Sequence, residues 1–233
     1  MEKKGQYCYE YERPALTVDC IIFGFDKEQI KVLLTKRAIE PYTGKGAFPG
    51  GFMGMNETAD NCARRKLYEE AGLKDIFLEQ LYTFSDLDRD PRDRVVSVAY
   101  YALVRSTDYI LEAGLDIEQV QWFSLDEIPG LAFDHNNILS VAIERLKGKI
   151  RYQHIGFELL PERFTLPELH RLYEAVLQQK VERGNFRKKI LSMDLLIDHS
   201  DEQKDRKQTT AKIYSFDKER YKSLTQSGFY FEI

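Results

Sequence analysis

Hydrophobic positions along the chain follow two different rhythms, and the change between them divides it. Residues 14–25 read as a strand dense in β-branched and aromatic side chains, among them Val18, Ile21, Ile22 and Phe23. A polar turn at 26–28 leads into a second strand at 30–37. Residues 40–54, with Gly44, Gly46, Pro49, Gly50, Gly51 and Gly54, read as loop. Good helix formers fill 58–71, and Gly72 supplies a stop, because glycine enters the left-handed region without steric cost. Strands are predicted at 95–104 and 120–123. A helix is predicted at 136–146, where Ile138, Leu139, Ala142 and Leu146 form one stripe. Strands and helices that interleave in this way imply a mixed α/β domain over residues 1–148.

After Lys147-Gly148-Lys149, the predicted boundary, a connecting stretch runs to Pro161 and the rhythm becomes helical. In Thr165-Leu-Pro-Glu168 the threonine hydroxyl can accept an orphan N–H while the glutamate reaches back, a capping box. Pro167 in the first turn costs no hydrogen bond the helix needs. Leu169, Leu172, Tyr173, Val176 and Leu177 then fall on one face, and Phe186 and Ile190 lie four apart in a second short helix. Segments 195–197 and 209–216 are expected to pair as a hairpin across a polar turn at 199–208. Helix, helix and two-stranded wing is the order of a winged helix-turn-helix, here assigned to residues 149–233.

A chain of 233 residues suits one domain of about 150 plus a smaller one. With 43% hydrophobic and 31% charged residues it has ordinary globular composition. The first residues lack the apolar core of a signal peptide, and no run approaches the ~18 apolar residues that cross a bilayer. Cys8, Cys20 and Cys62 form no C-x-x-C pair, so neither a disulfide scaffold nor a zinc site is expected, and a reducing cytoplasm is the simplest compartment. No cofactor is implied. The net charge of −4 argues against nucleic acid, but it is uneven: residues 151–233 carry 15 Lys+Arg against 13 Asp+Glu, and the rest carry 19 against 25. The asymmetry suggests a small or neutral partner for the first part and an anionic one for the second.

The spacing Gly51, Glu57, Arg65, Leu67, Glu69, Glu70, Gly72, Leu73 resembles the Nudix box, G-x5-E-x7-R-E-U-x-E-E-x-G-U with U a bulky aliphatic residue, and the resemblance covers residues 12–148. It implies a mixed sheet sandwiched by helices. One position departs: Lys66 stands where the family has a glutamate. Positions 66, 69 and 70 share a helix face, where three carboxylates would hold Mg²⁺ against a pyrophosphate. At ~4 Å and an effective dielectric of about 20 each unit-charge contact is worth ~4 kcal/mol before desolvation. Exchanging a ligand for a cation therefore disfavours metal. Glu69 and Glu70 are read as vestigial, with no catalytic and no metal-binding residue expected. The alternative is a Mg²⁺-dependent hydrolase of a nucleoside diphosphate derivative with an accessory basic domain.

Arg183-Gly-Asn-Phe-Arg-Lys-Lys189 carries four positive charges and no negative one. With Phe186 and Ile190 inward, Arg183, Asn185, Arg187, Lys188 and Lys189 can reach base edges and phosphates. Thr165 at the first helix start, and Lys204, Arg206, Lys207 and Lys212 in or beside the wing, can reach the backbone. The alternatives are a solvated basic face or a general RNA-binding module. Residues 164–176 and 185–191, with 88–103 and 131–135, resemble the Nudix-related transcription regulators, which include repressors of NAD metabolism and pentose-responsive regulators. That resemblance implies a usually non-hydrolytic Nudix domain, a winged helix and a homodimer on palindromic operator DNA. In such a fold the ligand lies beside the box helix. A pentose sugar would use Glu40 and Lys45 with Tyr42 or Phe48, and an ADP-ribose-like effector would use Arg37, Arg92 and Arg94. The pentose branch is taken as slightly the nearer, and His135 as a helix-start residue.

Overall fold

The computed structural model describes residues 10–26, 28–114, 117–199, 211–227 and 231. Its strands are β1 (Ala15–Phe25), β2 (Ile30–Arg37), β3 (Gly46–Ala47) and β4 (Gly50–Phe52), followed by helix α1 (Ala59–Ala71). Next come β5 (Glu79–Phe84), β6 (Val95–Arg105), β7 (Ile117–Ser124) and helix α2 (His135–Tyr152). The C-terminal unit holds β8 (Phe164–Thr165), α3 (Leu166–Leu177), α4 (Arg183–Ser192), β9 (Leu196–Asp198), β10 (Ile213–Phe216) and α5 (Lys218–Gln226).

β1 is the axis of a mixed sheet. It runs parallel to β6 from Ala15↔Val95 to Phe25↔Arg105, and antiparallel to β2 and β4. β7 and β3 extend the β2 side, and β5 extends the β6 side. Because side chains on a strand alternate, β1 buries two faces. Val18, Cys20 and Ile22 pack with Cys62, Ala63, Leu67 and Ala71 of α1. Ile21, Phe23 and Phe25 share a core with Ile138, Leu139, Ala142 and Leu146 of α2. The sheet sandwiched between helices is the fold class the sequence implies.

Local signals set the ends of α1. The Thr58 hydroxyl accepts from Asn61 N–H, and Gly72 closes the helix at φ 73° with its N–H on Tyr68 O. α2 departs from the expectation. It does not stop at Leu146 but continues through Gly148 to Tyr152, so the stretch read as a linker is helical. Ile150, fully buried, extends the stripe by another turn, and this packing outweighs the roughly 1 kcal/mol helix penalty of glycine. The same core then runs on through Ile155, Phe157 and Leu160 into Leu169, Leu172 and Tyr173. β5 escaped the sequence reading because only Leu81 and Phe84 are buried in it, three residues apart, with a register shift between Gln80 and Tyr82. A bulge breaks the period of two that identifies a strand.

In the C-terminal unit the capping box forms as expected, with both Thr165–Glu168 bonds present. β9 pairs with β10 as the predicted hairpin, and β8 adds a third strand on the other side of β10. The turn between them lies outside the described residues, and with it Lys204, Arg206 and Lys207.

Candidate functional site

A cavity of about 290 Å³ opens between the sheet, the second half of α1 and the start of α2. Its floor is a buried web of charge. Arg89 donates to Asp134 at 2.7 and 3.0 Å and to Asp19 at 3.4 Å. Ser97 Oγ donates to Asp19 at 2.5 Å. His135, first residue of α2, accepts the Phe48 N–H at Nδ1 (3.1 Å) and turns Nε2 to Asp19 Oδ1 at 3.4 Å. Burial raises the Asp19 carboxyl, but His135, Ser97 and Arg89 together more than offset it and hold the group below its ordinary range. His135 is thus the helix-start residue expected, and it also lines the cavity.

One wall is the box helix. Arg65 joins Glu57 at 2.5 Å and Glu69 at 3.1 Å, and Lys66 Nζ lies 3.2 Å from Glu69 Oε2. Hydrogen bonds from Arg65 hold Glu57 at about 2. Glu69 is also lowered, its desolvation outweighed by Lys66 and Arg65. Glu70 turns the other way, beneath the loop, and accepts the Gly50 N–H at 3.3 Å. Burial pushes it up to about 7. Of the three positions expected to converge, Lys66 and Glu70 line the cavity and Glu69 does not, and Lys66 is held in an ion pair with Glu69. Glycine at position 50 lets the loop lie close against β1, since a Cβ there would stand 2.2 Å from Val18 O.

Of the residues expected at an effector, Arg37, Phe48 and Arg92 line the cavity. Glu40, Tyr42, Lys45 and Arg94 do not. Tyr42 is one shell out, its ring edge-on to Phe133 at 5.0 Å. Lys45 lies beside Gly130, and Arg94 is spent on the Asp86 and Val95 carbonyls. A loop residue's position depends on its backbone path, which composition does not specify. The sequence reading gave no such role to Asp19, Phe52, Arg89, Asp90 or Phe133, all of which line the cavity. A faint signal existed for Asp19, a lone carboxylate in an otherwise apolar strand. The wall carries Arg37, Lys66, Arg89 and Arg92 against Asp19, Glu70 and Asp90. Burial and the neighbouring Arg92 make it harder for Arg37 to stay charged. The cavity suits an anion with an apolar part.

α4 presents a second candidate surface. Phe186 and Ile190 are buried, Phe186 lying 5.1 Å from both His170 and Tyr173 of α3. Arg183, Asn185, Arg187, Lys188 and Lys189 are all exposed, and Arg187, Lys188 and Lys189 meet no carboxylate among the described residues. The helix begins at Arg183, because Glu182 accepts from the N–H groups of Gly184 and Asn185. Thr165 is committed to its cap and to pairing with Ile213. Lys212 pairs with Asp198 at 2.7 Å.

Comparison with known proteins matches both halves. Residues 13–146 match the NUDIX domain family, and residues 156–216 match the NrtR DNA-binding winged helix domain. The "ADPR responsive transcriptional repressor NtrR" of Acinetobacter baylyi is 34% identical over 211 residues, 89% of this chain and 84% of that protein. The ADP-ribose pyrophosphatase of Methanocaldococcus jannaschii is 38% identical over 129 residues, 55% of this chain and 73% of that one. Shewanella oneidensis NrtR, solved with a 27mer DNA, is similar at a TM-score of 0.70 and 33% identity over 86% of this chain and 93% of that one. Its NUDIX domain, solved with ADP ribose, gives 0.56 and 32% over 60% and 94%.

Proposed function

The chain belongs to the NUDIX family, in the branch that carries an NrtR-type winged helix, and on that premise we propose that it is an operator-binding transcription repressor responsive to ADP-ribose. Residues 1–148 hold the effector and residues 149–233 hold the DNA. In the first, Arg37 and Arg92 meet the diphosphate and Phe48 borders the ligand. In the second, Arg183, Asn185, Arg187, Lys188 and Lys189 enter the major groove. ADP-ribose replaces the pentose sugar of the sequence-based expectation. The relative spanning both domains is ADPR responsive, and neither Glu40 nor Lys45, the residues a sugar would use, reaches the cavity. The protein works as a homodimer in the cytoplasm, and the effector changes operator affinity by its differential affinity for the two dimer states.

The observation that carries the sensing role is the ionic occupancy of the box helix. Arg65 and Lys66 hold Glu57 and Glu69, while Glu70 is half-buried and raised to about 7. These groups do not fit a Mg²⁺ site, which wants ionised oxygens free to turn to the metal. A gel shift on the promoter beside the gene tests the function. Binding is expected to weaken with salt, to respond to ADP-ribose, and to weaken in Arg187→Ala and Lys189→Ala. Unchanged binding in both variants refutes the placement of the recognition helix.

A second reading, hydrolysis, is favoured by the likeness to an ADP-ribose pyrophosphatase and by the retained Glu57, Glu69 and Glu70. Incubation of the chain with ADP-ribose and Mg²⁺, followed by chromatography for AMP, separates the two. Steady turnover establishes the enzyme, and its absence leaves the sensor.

A further inference from the structure

The cavity contains an arrangement that the box does not require. Arg92 Cζ lies 5.2 Å from the ring centroid of Phe52 and 5.3 Å from that of Phe133, inside the roughly 6 Å reach of a cation–π contact. Its Nε and Nη2 are held by Asp90 at 2.9 and 2.6 Å. Arg37 Cζ stands 4.9 Å from Phe133 as well, so two guanidinium groups crowd one ring against their mutual repulsion. Phe133 reaches its place at φ 51°, a left-handed conformation that costs a non-glycine residue steric strain. Phe52 stands at the mouth, 46% exposed. Two aromatic rings on one cavity wall, one of them set there by a strained backbone and both within reach of the same flat cation, make a stacking platform.

We propose that Phe52 and Phe133 form a base-stacking subsite, and that Arg92, within cation–π reach of both rings, yields its place there to the purine of a nucleoside diphosphate sugar. This rests on the effector reading above and adds which part of the effector is recognised and by what. A purine overlaps an aromatic ring over a larger area than a guanidinium does, and the released Arg92 finds diphosphate oxygens to replace Asp90. Ile39 and Ile117, also on the wall, offer no side-chain hydrogen bond to a base edge. Stacking tolerates any base, since each has a π-face. The subsite therefore selects for the presence of a base over its identity.

Calorimetric titration of the full chain with ADP-ribose, inosine diphosphate ribose and ribose 5-phosphate tests this. The inosine compound is expected to bind nearly as well as ADP-ribose, and ribose 5-phosphate at least about tenfold more weakly. Phe52→Leu and Phe133→Leu should each lose about tenfold or more for ADP-ribose, keep their affinity for ribose 5-phosphate, and be rescued by Phe52→Tyr and Phe133→Tyr. Phe52 is half-exposed, so its leucine variant keeps the fold even where the Phe133 variant does not. The Arg92 Nε–H resonance should move on adding ADP-ribose to the unsubstituted chain. If that chain takes up no ADP-ribose, the effector reading falls and this subsite with it. If it binds ADP-ribose and the leucine variants bind equally well, or the Arg92 signal stays put, the subsite alone is overturned.

Discussion

Two webs of charge flank the same cavity and differ in what surrounds them. On the box helix Arg65 links Glu57 with Glu69, and Lys66 adds a second bond to Glu69. These four side chains are 17% to 44% exposed. Under the cavity Arg89, 4% exposed, links Asp19 at 9% and Asp134 at 13%. Water screens the first web, where a pair is worth ~0–1 kcal/mol. It cannot screen the second, where removing one partner leaves a charge buried and uncompensated at a cost of about 3–5 kcal/mol. The recognisable motif is therefore not what holds the cavity in shape. A lysine can replace a glutamate on the outer web and leave the fold intact, while the inner web tolerates no such exchange.

The largest expected effect is on the inner web. Arg89→Met should lose about 3–5 kcal/mol in urea denaturation, and a loss below ~1 kcal/mol would erase the contrast. Glu70, half-buried and next to the outer web, sharpens it through pH. Burial raises its carboxyl from 4.5 to about 7, so the folded chain holds the proton more firmly than the unfolded one. The stability this gives is complete below 4.5 and is lost as pH climbs through 7. Glu70→Gln should therefore gain up to about 3 kcal/mol at alkaline pH and almost nothing in acid, which thermal melts at both ends will show. Equal shifts at the two ends would mean that the carboxyl is not desolvated.

Lys66→Glu tests the outer web on its own terms. Stability should change by less than ~1 kcal/mol, while Mg²⁺-dependent release of AMP from ADP-ribose rises at least about tenfold, since one repulsion toward the metal becomes an attraction. No gain in AMP would place the block on hydrolysis elsewhere than at position 66. The smallest effect belongs to Lys36→Ala. Its bond to Glu118 is 2.8 Å long, but the side chains are 43% and 53% exposed, and the melting curve should move by no more than about 0.5 kcal/mol.

How much of this was legible varies element by element. α1 could be read from Thr58 to Gly72 because its caps are local chemistry, and so could α3 from its capping box. β2 was read to the residue from its apolar run. The continuation of α2 through Gly148 was not legible, because the buried contacts of Ile150 come from elsewhere in the chain. Nor was the floor of the cavity: Arg89 lies 70 positions from Asp19 and 45 from Asp134, and the parallel register that sets Asp19 beside Ala99 joins strands far apart in sequence. Of the seven residues expected at the effector, Arg37, Phe48 and Arg92 line the cavity and the other four do not, because the path of the loop backbone is set by distant packing.

Residue order alone established the period of each element, the caps that end the helices, the spacing of the box with its foreign lysine, and the basic outer face of α4. Each of these depends on neighbours within a few positions. Only the folded chain decided which carboxylates became buried, which guanidinium met them, and which rings came to line the cavity. Those depend on strand register and on solvent exclusion, and neither exists until distant segments have packed.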